Sequence, residues 1–199
     1  MTPDTAPTHL LYLHGFRSSP ASFKARRLLA WLAAHRPQVT ALCPQLPPSP
    51  SEALARVGEQ TAAWPAQGAV VLGSSLGGFY AAEVQRRRGW PAVLMNPAVF
   101  PARDLAPWVG RVPAFHDPAQ AFDFTAGHLD ELRAMTHPRL AHPDRTLALI
   151  AQGDELLDWR EMAAFCTGAT LRLAEGSDHA LSDFDDHLPH LLRFLKLCD

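Results

Sequence analysis

Six short stretches rich in Leu, Val, Ile and Ala punctuate the chain, at His9–His14, Val39–Cys43, Ala69–Gly73, Ala92–Asn96, Thr146–Ala151 and Ala169–Leu173. Several are almost continuous apolar runs rather than alternations of apolar and polar residues, as strands covered on both faces require. That pattern predicts a mostly parallel sheet. Between the runs the spacing becomes helical. Ala25, Leu28, Leu29 and Leu32 fall on one face after Ser19-Pro20, which reads as an N-cap followed by a first-turn proline. Ser51–Ala63, Leu76–Arg88 and Trp159–Cys166 read as further helices. Leu188, Leu191, Leu192 and Leu195 form a last apolar stripe, in which Pro189 should start or kink the helix.

Strand and helix therefore alternate, the order expected of a doubly wound α/β fold: a mostly parallel sheet of about six strands, with helices on both faces and right-handed crossovers. Residues 97–144 interrupt the alternation. Prolines, histidines and aromatics are dense there, and only Ala126–Met135 has helical spacing. A connection this long inside a compact domain is usually functional, so it is a candidate cap over a site at the strand ends.

Composition narrows the classes of function. The 199 residues suit a single domain, 1–199, with one core. With 18 basic and 20 acidic side chains the net charge is -2, which argues against a nucleic-acid partner. The one basic cluster, Arg86-Arg87-Arg88, closes a helix, where cations complement the helix dipole. Met1-Thr2-Pro3-Asp4 lacks the basic flank and apolar stretch of a secretory signal. No apolar run reaches the ~20 residues that span a bilayer, so a cytoplasmic protein without a membrane partner is expected. Cys43, Cys166 and Cys198 are widely spaced and suggest neither a disulfide framework nor a zinc site. They are expected as packed or idle thiols. No histidines have a tight metal-ligand spacing, so no metal is expected.

The chemistry is concentrated in three loops. Gly73-Ser74-Ser75-Leu76-Gly77 matches G-x-S-x-G directly after an apolar strand and before a helix, the context in which this motif makes a nucleophile elbow with Ser75 at its tip. A serine hydroxyl is a weak nucleophile and needs a base, itself oriented by a third group. Asp154 follows the strand Thr146–Ala151, and His179 follows the strand Ala169–Leu173. Ser75, Asp154 and His179 therefore stand in the chain order of an α/β-hydrolase, each in a loop after a strand. Asp158 is the rival acid. Asp154 is favoured because it lies nearer the strand end, whereas Asp158 precedes a helix and is placed to cap it. Asp178, next to the histidine in sequence, is a further rival.

An acyl-transfer site also needs donors for an oxyanion. The backbone N–H of Leu76, just after the nucleophile, is one, and Phe16, in the loop after His14-Gly15, is the candidate for the other. Arg17 could hold an anionic part of a substrate or form a surface salt bridge. Specificity is expected to depend on Phe16, Arg17, Asn96 and the 97–144 segment.

Leu11–Phe16 with Ser18-Ser19-Pro20, Gly73–Tyr80 (GSSLGGFY), Asn96-Pro97-Ala98, Gln152–Asp158 (QGDELLD) and Gly176–Ala180 (GSDHA) together resemble the YqiA/YcfP-like esterases, small bacterial α/β-hydrolases. The resemblance runs in order along nearly the whole chain. It implies an α/β-hydrolase fold and a cytoplasmic carboxylic-ester hydrolase acting on simple acyl esters without a cofactor, with Ser75 as nucleophile, Asp154 as acid and His179 as base. Leu181 stands where an aromatic is common, which leaves the pocket wall near the histidine open. The substrate expected is a small acyl ester or thioester. The alternatives are a non-catalytic scaffold binding a small ligand or a partner, and an acyltransferase or peptidase using the same triad.

Overall fold

The computed structural model describes residues 6–114, 119 and 121–198; the Met1–Asp4 start, His116 and Pro118 lie outside these. The chain runs β1 (His9–Leu13), α1 (Phe23–His35), β2 (Thr40–Leu42), α2 (Pro50–Gln60), β3 (Ala69–Ser74), α3 (Leu76–Arg88) and β4 (Ala92–Met95). It continues through α4 (Pro101–Asp104), β5 (Gly110–Pro113), β6 (Ala121–Phe124) and α5 (Ala126–Met135). It ends with β7 (Thr146–Ala151), α6 (Trp159–Phe165), β8 (Thr170–Ala174) and α7 (Phe184–Phe194). Six strands form one sheet in the order β2-β1-β3-β4-β7-β8, and every pairing in it is parallel.

The continuous apolar runs have the meaning their pattern suggested. Successive strand residues point to opposite faces, and here both faces are covered. Val70, Leu72, Val93, Leu147 and Leu149 pack with Leu28 and Leu32 of α1 and Leu188 and Leu191 of α7. Val71, Leu94, Ala148 and Ile150 pack on the other face with α2, α3, α5 and α6. The register pairs Leu13 with Gly73 and Gly73 with Leu94, so the carboxyl ends of β1, β3 and β4 come out side by side.

Several expected boundaries move. Helix α1 starts at Phe23 rather than after Ser19-Pro20, because Ser19 makes a turn first: its carbonyl accepts from the Ser22 N–H (3.0 Å) and its hydroxyl from the Ala21 N–H (3.2 Å). The Ser-Pro start belongs instead to α2, where the Ser49 hydroxyl accepts from the Glu52 N–H and Pro50 fills the first turn. Pro189 lies inside α7 and so does not start it. Strand β8 is displaced by one residue from the expected Ala169–Leu173.

The 97–144 segment holds more regular structure than its sequence suggested. Besides α5 it contains α4, a 3₁₀ turn at Ala106–Trp108 and an antiparallel pair, β5 with β6. Four-residue strands that carry Gly, Pro, Arg and Asp give too little alternation to be read as strands. The segment is tied to the body by Glu131 of α5, whose carboxylate accepts from the Ser49 hydroxyl and the Ser51 N–H at the start of α2, each at 2.9 Å. Partial burial pushes the Glu131 carboxyl up, but these donors and nearby His128 outweigh it and hold it below its ordinary value. The Arg86-Arg87-Arg88 cluster does more than complement a dipole. Arg86 and Arg87 pair with the buried Glu83, and Arg88 reaches the Thr61 carbonyl.

Candidate active site

The strand-to-helix elbow is built by its glycines. A Cβ on Gly73 would sit 2.0 Å from the Gly77 carbonyl oxygen, and one on Gly77 would sit 2.0 Å from that of Leu13. Only glycine lets α3 approach β3 and β1 this closely. Between them Ser75 is forced to φ 57°, ψ −122°, a conformation that costs a non-glycine residue on the order of 1–3 kcal/mol. Neighbouring backbone holds it there: the Ser75 N–H donates to the Met95 carbonyl (3.0 Å), and the Ser75 carbonyl accepts from the N–H groups of Gly78 (2.8 Å) and Ala98 (3.1 Å).

The elbow presents the Ser75 hydroxyl to the loop after β8. Ser75 Oγ lies 3.1 Å from His179 Nε2, and His179 Nδ1 lies 2.7 Å from Asp154 Oδ2. The Asp154 side chain is fully buried, and its other oxygen accepts from the N–H groups of Leu156 (2.9 Å) and Leu157 (2.8 Å). A carboxylate only accepts, so His179 Nδ1 carries the ring proton; Nε2 is then an acceptor and the Ser75 hydroxyl donates to it. The rival acids are engaged elsewhere. Asp158 caps α6, accepting from the Arg160 N–H at 2.9 Å. Asp178 accepts from the Ser182 N–H and hydroxyl, and these bonds hold its carboxyl below the usual range.

Gly15 brings the loop after β1 against the elbow: a Cβ there would lie 3.2 Å from Ser75 Cβ. Phe16 follows it, and Leu76 opens α3, so its N–H is among those without an acceptor inside the helix. A cavity of about 540 Å³ extends from this point between the loops after β1 and β2, lined among others by Phe16, Leu46, Pro47, Leu76, Tyr80 and Phe122. Phe16 meets Phe122 and Phe124 of the 97–144 segment edge-on, at ring-centroid distances of 5.7 and 5.1 Å.

Three sequence expectations change on this geometry. Asn96 was expected at the substrate, but it is completely buried and its side-chain amide bonds to protein: Nδ2 donates to the carbonyls of Asp178 and His179, and Oδ1 accepts from the Ala151 N–H. Arg17 lines the cavity without forming a salt bridge among the described residues. Its Nε donates to the Pro113 carbonyl (2.8 Å) and its guanidinium lies over the Trp108 ring (4.5 Å), so it joins the β1 loop to the 97–144 segment. Leu181, expected near the pocket wall, turns inward at φ 50° and is buried in the layer of α1 and α7.

Lys24 of α1 has no signal in the sequence. Its ammonium donates to the Ala180 carbonyl, one residue past the histidine. Burial pulls it down to about 8, against the attraction of Asp178 and Asp154. Cys43 and Cys166 are unpaired thiols, each pushed up to about 12 by burial. Among the described residues no group of three His, Cys, Asp or Glu side chains could hold a metal ion. Among them, too, no helix is long and apolar enough to cross a membrane.

The model of a family described as "Uncharacterised protein family (UPF0227)" matches residues 9–196. The chain belongs to this family. UPF0227 is the YqiA/YcfP esterase family that the elbow, acid and histidine motifs resembled. The UPF0227 fold is in turn similar to solved structures. A chain of the metagenome-derived lipolytic enzymes LipS and LipT is 18% identical with a TM-score of 0.72, covering 100% of this chain and 97% of that one. The α/β hydrolase domain-containing protein 10 from mouse is 12% identical with a TM-score of 0.65, covering 94% and 92%. A putative hydrolase of the α/β superfamily from Xanthomonas campestris is 23% identical with a TM-score of 0.58, covering 96% and 97%. At such identities the likeness speaks to the fold, which is that of the α/β-hydrolases.

Proposed function

We propose that this UPF0227 member is a serine hydrolase of carboxylic esters or thioesters with small acyl groups, with Ser75 as nucleophile, His179 as base and Asp154 as acid. The observation that carries the reading is the unbroken hydrogen-bond chain from Ser75 Oγ through His179 to Asp154, at 3.1 and 2.7 Å. The Ser75 hydroxyl proton passes to His179 Nε2 as Oγ attacks the acyl carbonyl. The carbonyl oxygen gains the charge, and the N–H groups of Phe16 and Leu76 are the donors that receive it. His179 returns the proton to the leaving alkoxide or thiolate, forming the acyl-enzyme; it then takes a proton from water as the water oxygen attacks the acyl carbon, and gives that proton to Ser75 Oγ as the C–O bond to serine breaks and the acid leaves. Asp154 remains ionised throughout. It fixes the ring tautomer and stabilises the imidazolium.

In this reading the apolar lining by Phe16, Leu46, Tyr80 and Phe122 receives the acyl group, and residues 97–144 are the cap of a single domain, joined to the body through Arg17, Phe16 and Glu131. A cytoplasmic location fits the unpaired cysteines. A fluorophosphonate probe tests the proposal. Wild-type protein should be labelled and Ser75→Ala should not; equal labelling of the two, or none of wild type, overturns it. Rates on p-nitrophenyl esters of rising chain length, beside thioester and peptide substrates, define the acyl class.

A further inference from the structure

We propose that Asn96 is a positioning residue: with one side-chain amide it sets the spacing between the loop that carries the acid and the loop that carries the base. This assignment rests on the reading of Ser75, His179 and Asp154 as catalytic. Asn96 follows β4 directly, and its own N–H extends the ladder to the Leu149 carbonyl at 3.0 Å. In a regular parallel ladder the next rung would run from the Ala151 N–H to the backbone carbonyl of residue 96. Here the chain turns at Asn96, at φ 42°, and the side-chain Oδ1 supplies the rung, accepting from the Ala151 N–H at 2.7 Å. Ala151 is the last residue of β7, so the acid loop starts from this anchor.

The other end of the amide holds the histidine. Nδ2 donates to the carbonyls of Asp178 and His179, each at 3.1 Å. The carbonyls on either side are held as well: that of Ser177 accepts from the Gly153 N–H (3.1 Å), and that of Ala180 from Lys24. Gly153 precedes Asp154, so the two loops also touch backbone to backbone. A planar amide that accepts on one side and donates on the other converts this contact into a fixed separation. Asparagine suits the position twice over. It tolerates the left-handed backbone better than other residues with a Cβ, and it carries both an acceptor and two donor hydrogens. Aspartate would keep the acceptor and lose the donors; glycine would keep the turn and lose all three bonds.

The experiment compares Asn96→Asp, Asn96→Gly and the milder Asn96→Ser with wild type, using kcat and KM on a short p-nitrophenyl ester, the pH profile, and the NMR titration of the His179 ring, with melting curves to select folded variants. The expected result in folded variants is a kcat lower on the order of 10²-fold, as small misplacements of catalytic groups cost. KM should change little, and the acid limb and the His179 titration should move together. Folded variants with wild-type kcat and an unmoved titration overturn the assignment. So does a raised KM with unchanged kcat, which would return Asn96 to the substrate. Failure of the triad reading is seen separately, in wild-type protein that takes up no fluorophosphonate; the ring titration then still decides whether Asn96 holds the histidine.

Discussion

Two neighbouring regions of the molecule are held by different means. The loops at the carboxyl ends of β1, β3, β4, β7 and β8, the floor on which Ser75, Asp154 and His179 stand, are fixed by backbone hydrogen bonds, by glycines without room for a Cβ and by the buried amide of Asn96. The described part of residues 97–144, the roof of the proposed reading, is made of short elements that meet the body through one backbone bond, from the Ala98 N–H to the Ser75 carbonyl, and otherwise through side chains such as Glu131 on Ser49, Arg17 on Pro113 and Trp108, and Phe16 among aromatic rings. The difference separates precision from selection. A hydroxyl and an imidazole have to meet within a few tenths of an ångström, which rigid strand ends provide. In the proposed reading the roof admits substrate, which needs apolar surface and tolerates rearrangement.

The largest effects are expected at the floor. Ser75→Ala is expected to reduce kcat on the order of 10⁴–10⁶-fold with the melting temperature nearly unchanged. Equal loss of activity and stability would mean the serine matters only to the fold. Asp154→Asn should reduce kcat by about 10⁴-fold, through loss of the correct histidine tautomer. Asp158→Asn should leave the rate intact and cost at most about 1 kcal/mol, since asparagine also caps helices. A crippled Asp158→Asn beside an active Asp154→Asn would reverse their roles.

Gly77→Ala forces a Cβ to within 2.0 Å of the Leu13 carbonyl oxygen. A loss of about 3–5 kcal/mol in urea unfolding is expected, among the largest that single substitutions produce. A near-neutral result would show that the elbow can open.

Roof changes should be milder. Phe122→Ala removes part of the proposed acyl lining, so kcat/KM should fall for longer acyl chains more than for acetyl; a uniform fall would place Phe122 outside the acyl path. Glu131→Gln should cost about 1 kcal/mol at neutral pH by weakening two hydrogen bonds to a charged acceptor. The pH dependence has a definite sign. The folded value of Glu131 is depressed, so its contribution is fully present above the unfolded glutamate value of about 4.3 and is lost as pH falls through the folded value. The stability difference between wild type and Glu131→Gln, followed by urea unfolding, should therefore narrow in acid; a constant gap would mean that the carboxylate charge does not hold the roof.

Most of the floor is legible in the residue pattern, because its requirements are local. Buried parallel strands need unbroken apolar runs, and the elbow needs glycine beside the serine, so β3, α3 and Ser75 could be read from neighbours in sequence. The roof resisted because β5 and β6 are short and their partner surfaces come from distant residues: Arg17 meets Pro113 and Trp108 across long stretches of chain. Asn96 shows the same limit inside the floor. A polar residue just after a strand reads as a pocket residue, and nothing local says that its amide faces Ala151 on one side and His179 on the other.

By itself, then, the sequence determined the sheet, the elbow and the order Ser75, Asp154, His179, since periodicity and the steric demands of glycine act over a few residues. The tertiary structure decided which groups meet. It brought Asp154 rather than Asp158 to the histidine, turned Asn96 and Leu181 inward, and set Phe122 and Phe124 beside Phe16. Those outcomes depend on hydrogen-bond partners and packing surfaces far apart in the chain, where no spacing rule reaches.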